Sequence, residues 1–345
     1  MNILITAAGG GGTNGLVDSL GDHSYHFVGT NANFHKAAAS NIAPTYLIAT
    51  AREEEKYIAD INQLIERHDI DLLVPNSDIE VEIVAKYRAE IRTRVFLPNY
   101  EVCQIANDKF LCYEHCIAHD IYMAKAVSCN SIEDLEQQLT QFSNYPLWCR
   151  VKKGSGSKHT AALHSAAEVV QFVSEKLAKH TDLSVSDFMV SDYLPGDDCL
   201  IFTIWHHGTL QYLAMAHRQQ YFGEQGRSAP TLIKKEYRQE LADFAIRIAQ
   251  SFEVPPHGVY NFDVKYDQKG KAALTEINIG RFYYNMPLFN ASKDGSPLHI
   301  YVNAASGRLR ETALLSKDEL YFLRDQDNAP VVLTPTVMQQ KVLTV

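Results

Sequence analysis

The stretch GVYNFDVKYDQKGKAALTEINIGR, residues 258–281, constrains the fold more than any other part of the chain. Two strand-like segments flank the sequence Asp267-Gln268-Lys269-Gly270, in which the glycine supplies a positive φ at little cost. The stretch therefore predicts two antiparallel strands joined by a tight turn.

Three oxygen-bearing side chains are expected to meet on this hairpin. Because side chains alternate along a strand, Leu274, Glu276 and Asn278 are expected to share one face of the second strand. Pairing across the turn would then bring Asp263, Glu276 and Asn278 together. Two carboxylates and an amide oxygen are hard ligands of the kind that hold Mg²⁺ while nucleotide phosphates complete its shell. The alternative is an exposed hairpin whose acidic residues face water.

Charge and composition argue against several classes of partner. The 345 residues carry a formal net charge of −9, whereas a nucleic-acid-binding surface would show clustered Lys and Arg. No run approaches membrane-spanning length, and Met1 precedes the strand-like NILIT without the basic leader and apolar core of a signal peptide. The six cysteines include no CxxC pair and fit a reducing compartment. We therefore expect a cytoplasmic protein that binds neither nucleic acid nor membranes.

The N-terminal part opens like a Rossmann βα unit. An apolar strand at 2–6 precedes four glycines at 9–12 and a helical pattern at 14–20. A dinucleotide site would need an acidic residue for the ribose about 20 residues further on, and none stands there. The glycines alone are therefore weak support for a nicotinamide or flavin dinucleotide.

The same alternation of strand and helix continues and predicts a parallel sheet. Asn76, Ser77 and Asp78 follow the strand at 71–74, at the edge where open α/β sheets bind ligands. We take them as candidate substrate-binding residues. Ser77 or Asp78 would serve equally well as a helix cap.

A basic and glycine-rich region follows. Lys109 stands at the start of a predicted helix, and Arg150 ends a strand at 146–151. The loop after that strand offers backbone N–H groups that could hold phosphate oxygens and close over them. Its candidate residues are Lys153, Gly154, Ser155, Gly156 and Ser157. The alternative is a plain hairpin turn that carries surface lysines.

The segment FMVSDYLPGDDCL suggests a nucleoside site. Asp192 and Asp198 could accept hydrogen bonds from an adenine amino group and ribose hydroxyls, with Tyr193 and Leu194 supplying backbone groups. A simple turn at Pro195-Gly196 is the alternative.

The following region contains one more candidate residue. A strand at 210–218 ends in Arg218, which could bind an anionic group or form a surface ion pair. Residues 219–230 are expected to form a polar loop, and an apolar pattern over 233–252 predicts a core helix.

Taken in order, these motifs resemble the ATP-grasp superfamily, in its branch similar to carbamoyl-phosphate synthetase and biotin carboxylase. The resemblance covers about residues 2–305 and implies an α/β fold that becomes α+β in its C-terminal part. It implies a Rossmann-like domain at 1–105, a lid subdomain at 106–192, a C-terminal subdomain with the Mg-ATP platform at 193–310, and an extension at 311–345.

The resemblance also implies roles for the motif residues. Lys109 and Arg150 would contact nucleotide phosphates, Asp192 to Leu194 and Asp198 would contact adenine and ribose, and the hairpin triad would hold the metal. The arginine at the end of the family's EINPR motif is similar to Arg281.

Departures from the family pattern concern the lid and the hairpin end. Val151 stands in place of a proline, His159 in place of a late glycine, and EINIGR is one residue longer than the family's EINPR. Both acids of the nucleoside segment are aspartates, which are shorter than the family's glutamates.

The reaction that this resemblance implies is ligation of a carboxylate to an amine through an acylphosphate, with ATP, Mg²⁺ (or Mn²⁺) and two small-molecule substrates. Arg218 and Arg281 are the catalytic candidates, for the acceptor carboxylate or the transferred phosphoryl group. A nucleotide-binding regulatory protein without turnover and an enzyme that forms carbamoyl phosphate or carboxyphosphate are the alternatives. A homodimer is possible.

Overall fold

The computed structural model describes residues 1–18, 24–154, 159–221, 230–324 and 331–337. Within these ranges, five parallel strands form an N-terminal sheet in the order β3-β2-β1-β4-β5. The strands are β1 (Asn2–Ile5), β2 (His26–Asn31), β3 (Thr45–Leu47), β4 (Leu72–Val74) and β5 (Arg94–Val95). The helices are α1 (Gly11–Asp18), α2 (Phe34–Ala38), α3 (Glu54–Arg67), α4 (Asp78–Lys86) and α5 (Tyr100–Asn107). The predicted parallel sheet is confirmed.

A smaller antiparallel sheet follows, with four strands in the part of the chain that is described, in the order β6-β9-β7-β8. They are β6 (Ala126–Ser128), β7 (Leu147–Val151), β8 (Ala161–Leu163) and β9 (Phe188–Asp192). The helices of this region are α6 (Lys109–Ala118), α7 (Ile132–Leu139) and α8 (Ala166–Lys179). Leu135, Val169 and Val173 of the last two helices pack with this sheet in a separate apolar core.

The largest sheet has eight strands among the described residues, in the order β14-β13-β10-β11-β12-β16-β17, with β15 beside β11. Its strands are β10 (Asp198–His206), β11 (Thr209–Tyr221), β12 (Pro230–Lys235), β13 (Gly258–Tyr266), β14 (Ala272–Ile279), β15 (Leu314–Leu315), β16 (Leu320–Leu323) and β17 (Val331–Leu333). The helices are α9 (Gln239–Ala249), α10 (Met286–Asn290) and α11 (Pro297–Ala305). Strands from 311–345, which the sequence analysis set apart as an extension, complete this sheet.

The single helix predicted over 233–252 is wrong at its beginning. Residues 230–235 form β12, which pairs with β11 and β16, and α9 begins only at Gln239. The side chain of Lys235 is fully buried, and its ammonium group donates to the backbone carbonyl of Asp318 over 2.8 Å and also pairs with the Asp318 carboxylate. A lysine can occupy this central strand because both of these partners satisfy its charge.

The extra residue of EINIGR docks the hairpin onto the N-terminal sheet. Gly280 has φ of +70°, and its N–H donates to Val259 O over 2.8 Å. A Cβ at this position would overlap Val81 of α4 and lie 3.2 Å from Leu97. Both the backbone conformation and the packing therefore require glycine here.

We expect Gly280→Ala to lower the free energy of unfolding by about 3 kcal/mol, because left-handed strain of about 1 kcal/mol adds to overpacking of about 2 kcal/mol. Chemical denaturation measures this loss. Gly270→Ala is the matched control, since Gly270 has φ of +75° but no atom within 4 Å of the added Cβ. Equal losses in the two variants would contradict the packing argument.

Candidate active site

A β-bulge in the β13–β14 hairpin sets Asp263 directly opposite Glu276. Val264 pairs with Leu274, but the register then shifts by one residue, so that Asp263 pairs with Glu276. Thr275 is the extra residue, and its hydroxyl donates to Asp263 O over 2.9 Å. The predicted turn is confirmed, with Gly270 N–H donating to Asp267 O.

The bulge also corrects one expectation about the faces of β14. Leu274 does not share a face with Glu276, because the inserted Thr275 reverses the alternation. Leu274 packs with Val264 and Ile277 in the core behind the sheet, while Glu276 lies on the opposite face. A bulge beside an active site is a common way to redirect a side chain, and here it brings two carboxylates together.

Two cations from other elements approach Glu276. Lys109 Nζ lies 3.5 Å and Arg150 Nη1 lies 3.8 Å from Glu276 Oε2. Lys109 begins α6, whose first turn is capped by Asp108, and Arg150 lies on β7. Burial raises the pKa of Glu276, but Lys109 and Arg150 outweigh it and lower that pKa to about 2. The structure thus brings together the predicted phosphate-binding cations and a predicted metal ligand.

Arg218 lies between two of the predicted site carboxylates. Its Nη1 donates to Asp198 Oδ1 over 2.6 Å, and its Nη2 donates to Asp263 Oδ1 over 2.7 Å. The Tyr221 hydroxyl donates to the other oxygen of Asp198. Burial raises the pKa of Asp263 to about 6, although Arg218 opposes this shift. In this structure Asp198, the predicted ribose ligand, and Arg218, the predicted anion ligand, therefore bind each other.

Arg281 joins the hairpin to the first residue of α4. Its Nε donates to the Asp78 carboxylate and its Nη2 donates to Asn278 Oδ1. Asn278 Nδ2 donates to Asp263 Oδ2 and to the Tyr283 hydroxyl, each over 3.0 Å. Tyr283 also donates to Asp263 Oδ1 over 3.2 Å, so this buried phenol orients two site residues.

Asn76 and Ser77 bond to protein groups in this structure. Asn76 Nδ2 donates to the Thr13 hydroxyl over 2.9 Å, and Asn76 Oδ1 accepts from Phe282 N over 2.8 Å. Ser77 donates to Glu80 over 2.6 Å. These bonds hold the end of β4 against the segment that follows EINIGR. Their role in substrate binding stays a prediction, as does that of Asp78.

Gly12 lies at the same junction. A Cβ on Gly12 would lie 3.5 Å from both Phe282 O and Tyr284 N, which is an ordinary van der Waals distance. The start of α1 therefore packs against the backbone of residues 282–284.

The segment between β9 and β10 connects the smaller antiparallel sheet to the largest sheet. Burial raises the pKa of Asp192, whose N–H donates to Lys125 O over 2.9 Å. Tyr193 is 36% exposed, with Lys265 Nζ 5.8 Å from its ring centre, and Leu194 is buried. An exposed ring beside an apolar side chain at such a connection suits a planar base, and this role stays a prediction.

The glycine-rich loop is described only in part. Lys109 Nζ donates to Gly154 O over 2.9 Å, which places the start of the loop beside one of the two predicted phosphate-binding cations. Lys153 is exposed. Ser155, Gly156 and Ser157 lie outside the described residues.

The donor set fits a Mg²⁺–nucleotide complex. Asp263 and Glu276 supply two carboxylate groups on paired strands. Among the described residues, no group of three or more His, Cys, Asp or Glu side chains could hold a metal ion by itself. Phosphate oxygens would complete the shell. Arg150 Nε is buried and has no hydrogen-bond partner among the described residues, as expected of a donor that meets a ligand. Coordination by Asn278 would require its amide to turn over, since its oxygen accepts from Arg281 here.

The chain is similar to known proteins in sequence and in fold. No protein-family model matches the chain. It is 21% identical over 243 residues to D-alanine--D-alanine ligase B of Clostridium perfringens, which covers 66% of this chain and 78% of the relative.

Two solved structures show the fold. The biotin carboxylase domain of Hydrogenobacter thermophilus 2-oxoglutarate carboxylase, solved with MgADP and bicarbonate, superposes with a TM-score of 0.73 at 12% identity, covering 93% of this chain and 74% of that one. The L-amino acid ligase of Bacillus licheniformis gives a TM-score of 0.71 at 10% identity, covering 93% and 79%. The chain therefore has an ATP-grasp fold. A biotin carboxylase domain, of the kind that the sequence resembled, is among the structures that share this fold.

The described helices were also compared with the length of a membrane span. None of them is both long and apolar enough to cross a bilayer.

Proposed function

We propose that the protein is an ATP-dependent carboxylate–amine ligase. ATP transfers its γ-phosphoryl group to a carboxylate oxygen of one substrate, which gives an acylphosphate and ADP. The amine of a second substrate then attacks the acyl carbon, phosphate leaves, and the amine loses a proton as the amide forms. The similarity to two amino acid ligases supports this proposal over carboxylation of a cofactor.

The observation that carries the proposal is the pairing of Asp263 and Glu276 beside Lys109 and Arg150. Two neighbouring carboxylates in a partly buried site would repel each other, and here Arg218, Lys109 and Arg150 offset their charge. The same cations can meet nucleotide phosphates once a metal ion binds the carboxylates. When bound, Mg²⁺ would neutralise charge on the β- and γ-phosphate oxygens.

The remaining residues position these groups. Arg218 and Tyr283 both bind Asp263 and fix its orientation, and Arg281 is held by Asp78 at the start of α4. Catalysis by such a site rests on positioning and electrostatic stabilisation, so it needs no side-chain nucleophile. Exclusion of water by the loop at 153–159 would protect the acylphosphate from hydrolysis.

We extend the proposal to a cytoplasmic enzyme that acts as a homodimer. The biotin carboxylase domain of Hydrogenobacter thermophilus was solved as a dimer, which supports the second point. The absence of cysteine pairs with CxxC spacing supports the first.

The direct test is release of ADP and phosphate from Mg-ATP in the presence of pooled amino acids and small carboxylic acids, with and without amines. We expect ADP release only when one acid and one amine are both present. Tight binding of Mg-ATP without turnover in any pool would favour a regulatory protein instead. Turnover that requires bicarbonate would favour an enzyme that forms carboxyphosphate.

A further inference from the structure

Arg324 is a cation beside the site that no family motif had indicated. It follows β16, and its N–H donates to Thr231 O over 3.0 Å. Its guanidinium carbon lies 4.9 Å from the centre of the Tyr284 ring. Among the residues that the structure describes, no carboxylate forms an ion pair with it. An arginine placed over an aromatic ring keeps its N–H donors available for a planar anion.

Tyr284 links Arg324 to the carboxylates of the hairpin. Its hydroxyl is buried and lies near Arg218, which binds Asp263 over 2.7 Å. Burial raises the pKa of Tyr284, and Arg218 and Arg324 both act in the opposite direction. The phenol therefore lies within the electrostatic reach of two guanidinium groups, one of them already paired.

The next residue carries an unsatisfied amide. Asn285 is fully buried, and neither Nδ2 nor Oδ1 has a hydrogen-bond partner in the described structure. Leaving such a group unpaired costs about 1–3 kcal/mol, so native proteins usually complete it with a ligand or ordered water. Asn285 precedes α10, which packs against β16, the strand that ends next to Arg324.

The two arginines that the sequence analysis assigned to the acceptor carboxylate or the phosphoryl group are already engaged. Arg218 binds Asp198 and Asp263, and Arg281 binds Asp78 and Asn278. An additional carboxylate would have to displace an acidic partner from either of them. At Arg324 it would displace none of the described carboxylates.

We propose that Arg324, with Tyr284 and Asn285, binds the free carboxylate of an amino acid whose amino group is the nucleophile of the reaction. Tyr284 and Arg218 separate a carboxylate held at Arg324 from Asp263, so this carboxylate is not the one that becomes phosphorylated. The substrate class is then an α-amino acid that enters the product through its nitrogen. This inference rests on the proposed ligase function.

The test measures binding of the common L- and D-amino acids and of the matching amino acid amides to the full chain, by calorimetry and thermal shift. We expect at least one amino acid to bind the wild type about 10-fold or more tightly than its amide, since a charged hydrogen-bonded pair is lost in the amide. Arg324→Leu should lose this preference. Its affinity for Mg-ATP should stay unchanged.

Arg247→Leu is the matched control, because Arg247 lies 5.5 Å from the centre of the Phe244 ring on α9, away from the site. It should bind amino acids as the wild type does. Equal affinity for acid and amide, unchanged selectivity in Arg324→Leu, no binding by any amino acid, or weakened Mg-ATP binding in that variant would each overturn the inference.

The inference and the proposed function can fail separately. Selective amino acid binding that depends on Arg324, without ADP release from any pool, would contradict the ligase function and leave the carboxylate site standing. ADP release with an amino acid nucleophile that is unaffected by Arg324→Leu would contradict the carboxylate site and leave the ligase function standing.

Discussion

Glu276→Gln is expected to lower Mg-ATP turnover by about 100-fold or more while the protein stays folded, because the proposed metal site loses one of its two carboxylates. The amide keeps the shape of the side chain but removes the charge that Lys109 and Arg150 offset. The effect should appear mainly in kcat, since metal and cations act on charge that develops during phosphoryl transfer. Steady-state ADP release across Mg²⁺ concentrations measures it.

The control for this change is Glu236→Gln in the same subdomain. Glu236 also pairs with two cations, Lys234 and Arg238, but it lies outside the site. We expect full turnover in that variant and similar melting temperatures for both. Wild-type turnover in Glu276→Gln would remove Glu276 from the metal site.

The hairpin shows which features of the site could be predicted from local sequence patterns. The sequence predicted the turn at 267–270 and the chemistry of Asp263 and Glu276, because both depend on residues close in sequence. The bulge at Thr275 was not, since a strict alternation places Asp263 opposite Thr275 instead of Glu276. One inserted residue thus decides whether the two carboxylates meet.

A second bulge sets Asp198 opposite Arg218, two residues to which the sequence analysis assigned separate roles. Near the β10–β11 turn, His206 pairs with Thr209, and this register would set Asp198 opposite His217. The shift between Ile204 and Trp205 moves the partner to Arg218. A bulge of this kind leaves no reliable sign in composition or alternation, so the ion pair could be seen only in the folded sheet.

Contacts between distant segments explain the other features that the sequence did not predict. Lys235 lies in a strand because Asp318, 83 residues further on, satisfies its charge. Arg281 meets Asp78 across 203 residues, and Arg324 meets Tyr284 from a stretch in which no motif was recognised. The order of elements was predictable because it follows from periodicity, whereas these pairings depend on how the sheets pack.

Arg150→Ala is expected to weaken ATP binding and to raise the KM for ATP by about 10- to 100-fold, with a smaller fall in kcat. Arg150 Nη2 donates to Thr275 O over 2.7 Å, so the arginine also ties the smaller antiparallel sheet to the bulge beside Glu276. Alanine removes both the charge and this connection. Calorimetric titration with Mg-ATP and initial rates at varied ATP separate binding from turnover.

Arg150→Lys distinguishes the two contributions of Arg150. Lysine keeps the positive charge near Glu276 but lacks the planar guanidinium group. In arginine, that group donates to Thr275 O through Nη2 and leaves Nε free for a phosphate. If charge dominates, the lysine variant recovers most of the ATP affinity. If the bond to the bulge dominates, the lysine variant resembles the alanine variant.

Arg92→Ala is the control, because it removes an exposed arginine paired with Glu66 and should leave nucleotide kinetics unchanged. Unchanged ATP binding in Arg150→Ala would place the phosphate contact elsewhere and leave Lys109 as the cation for that role.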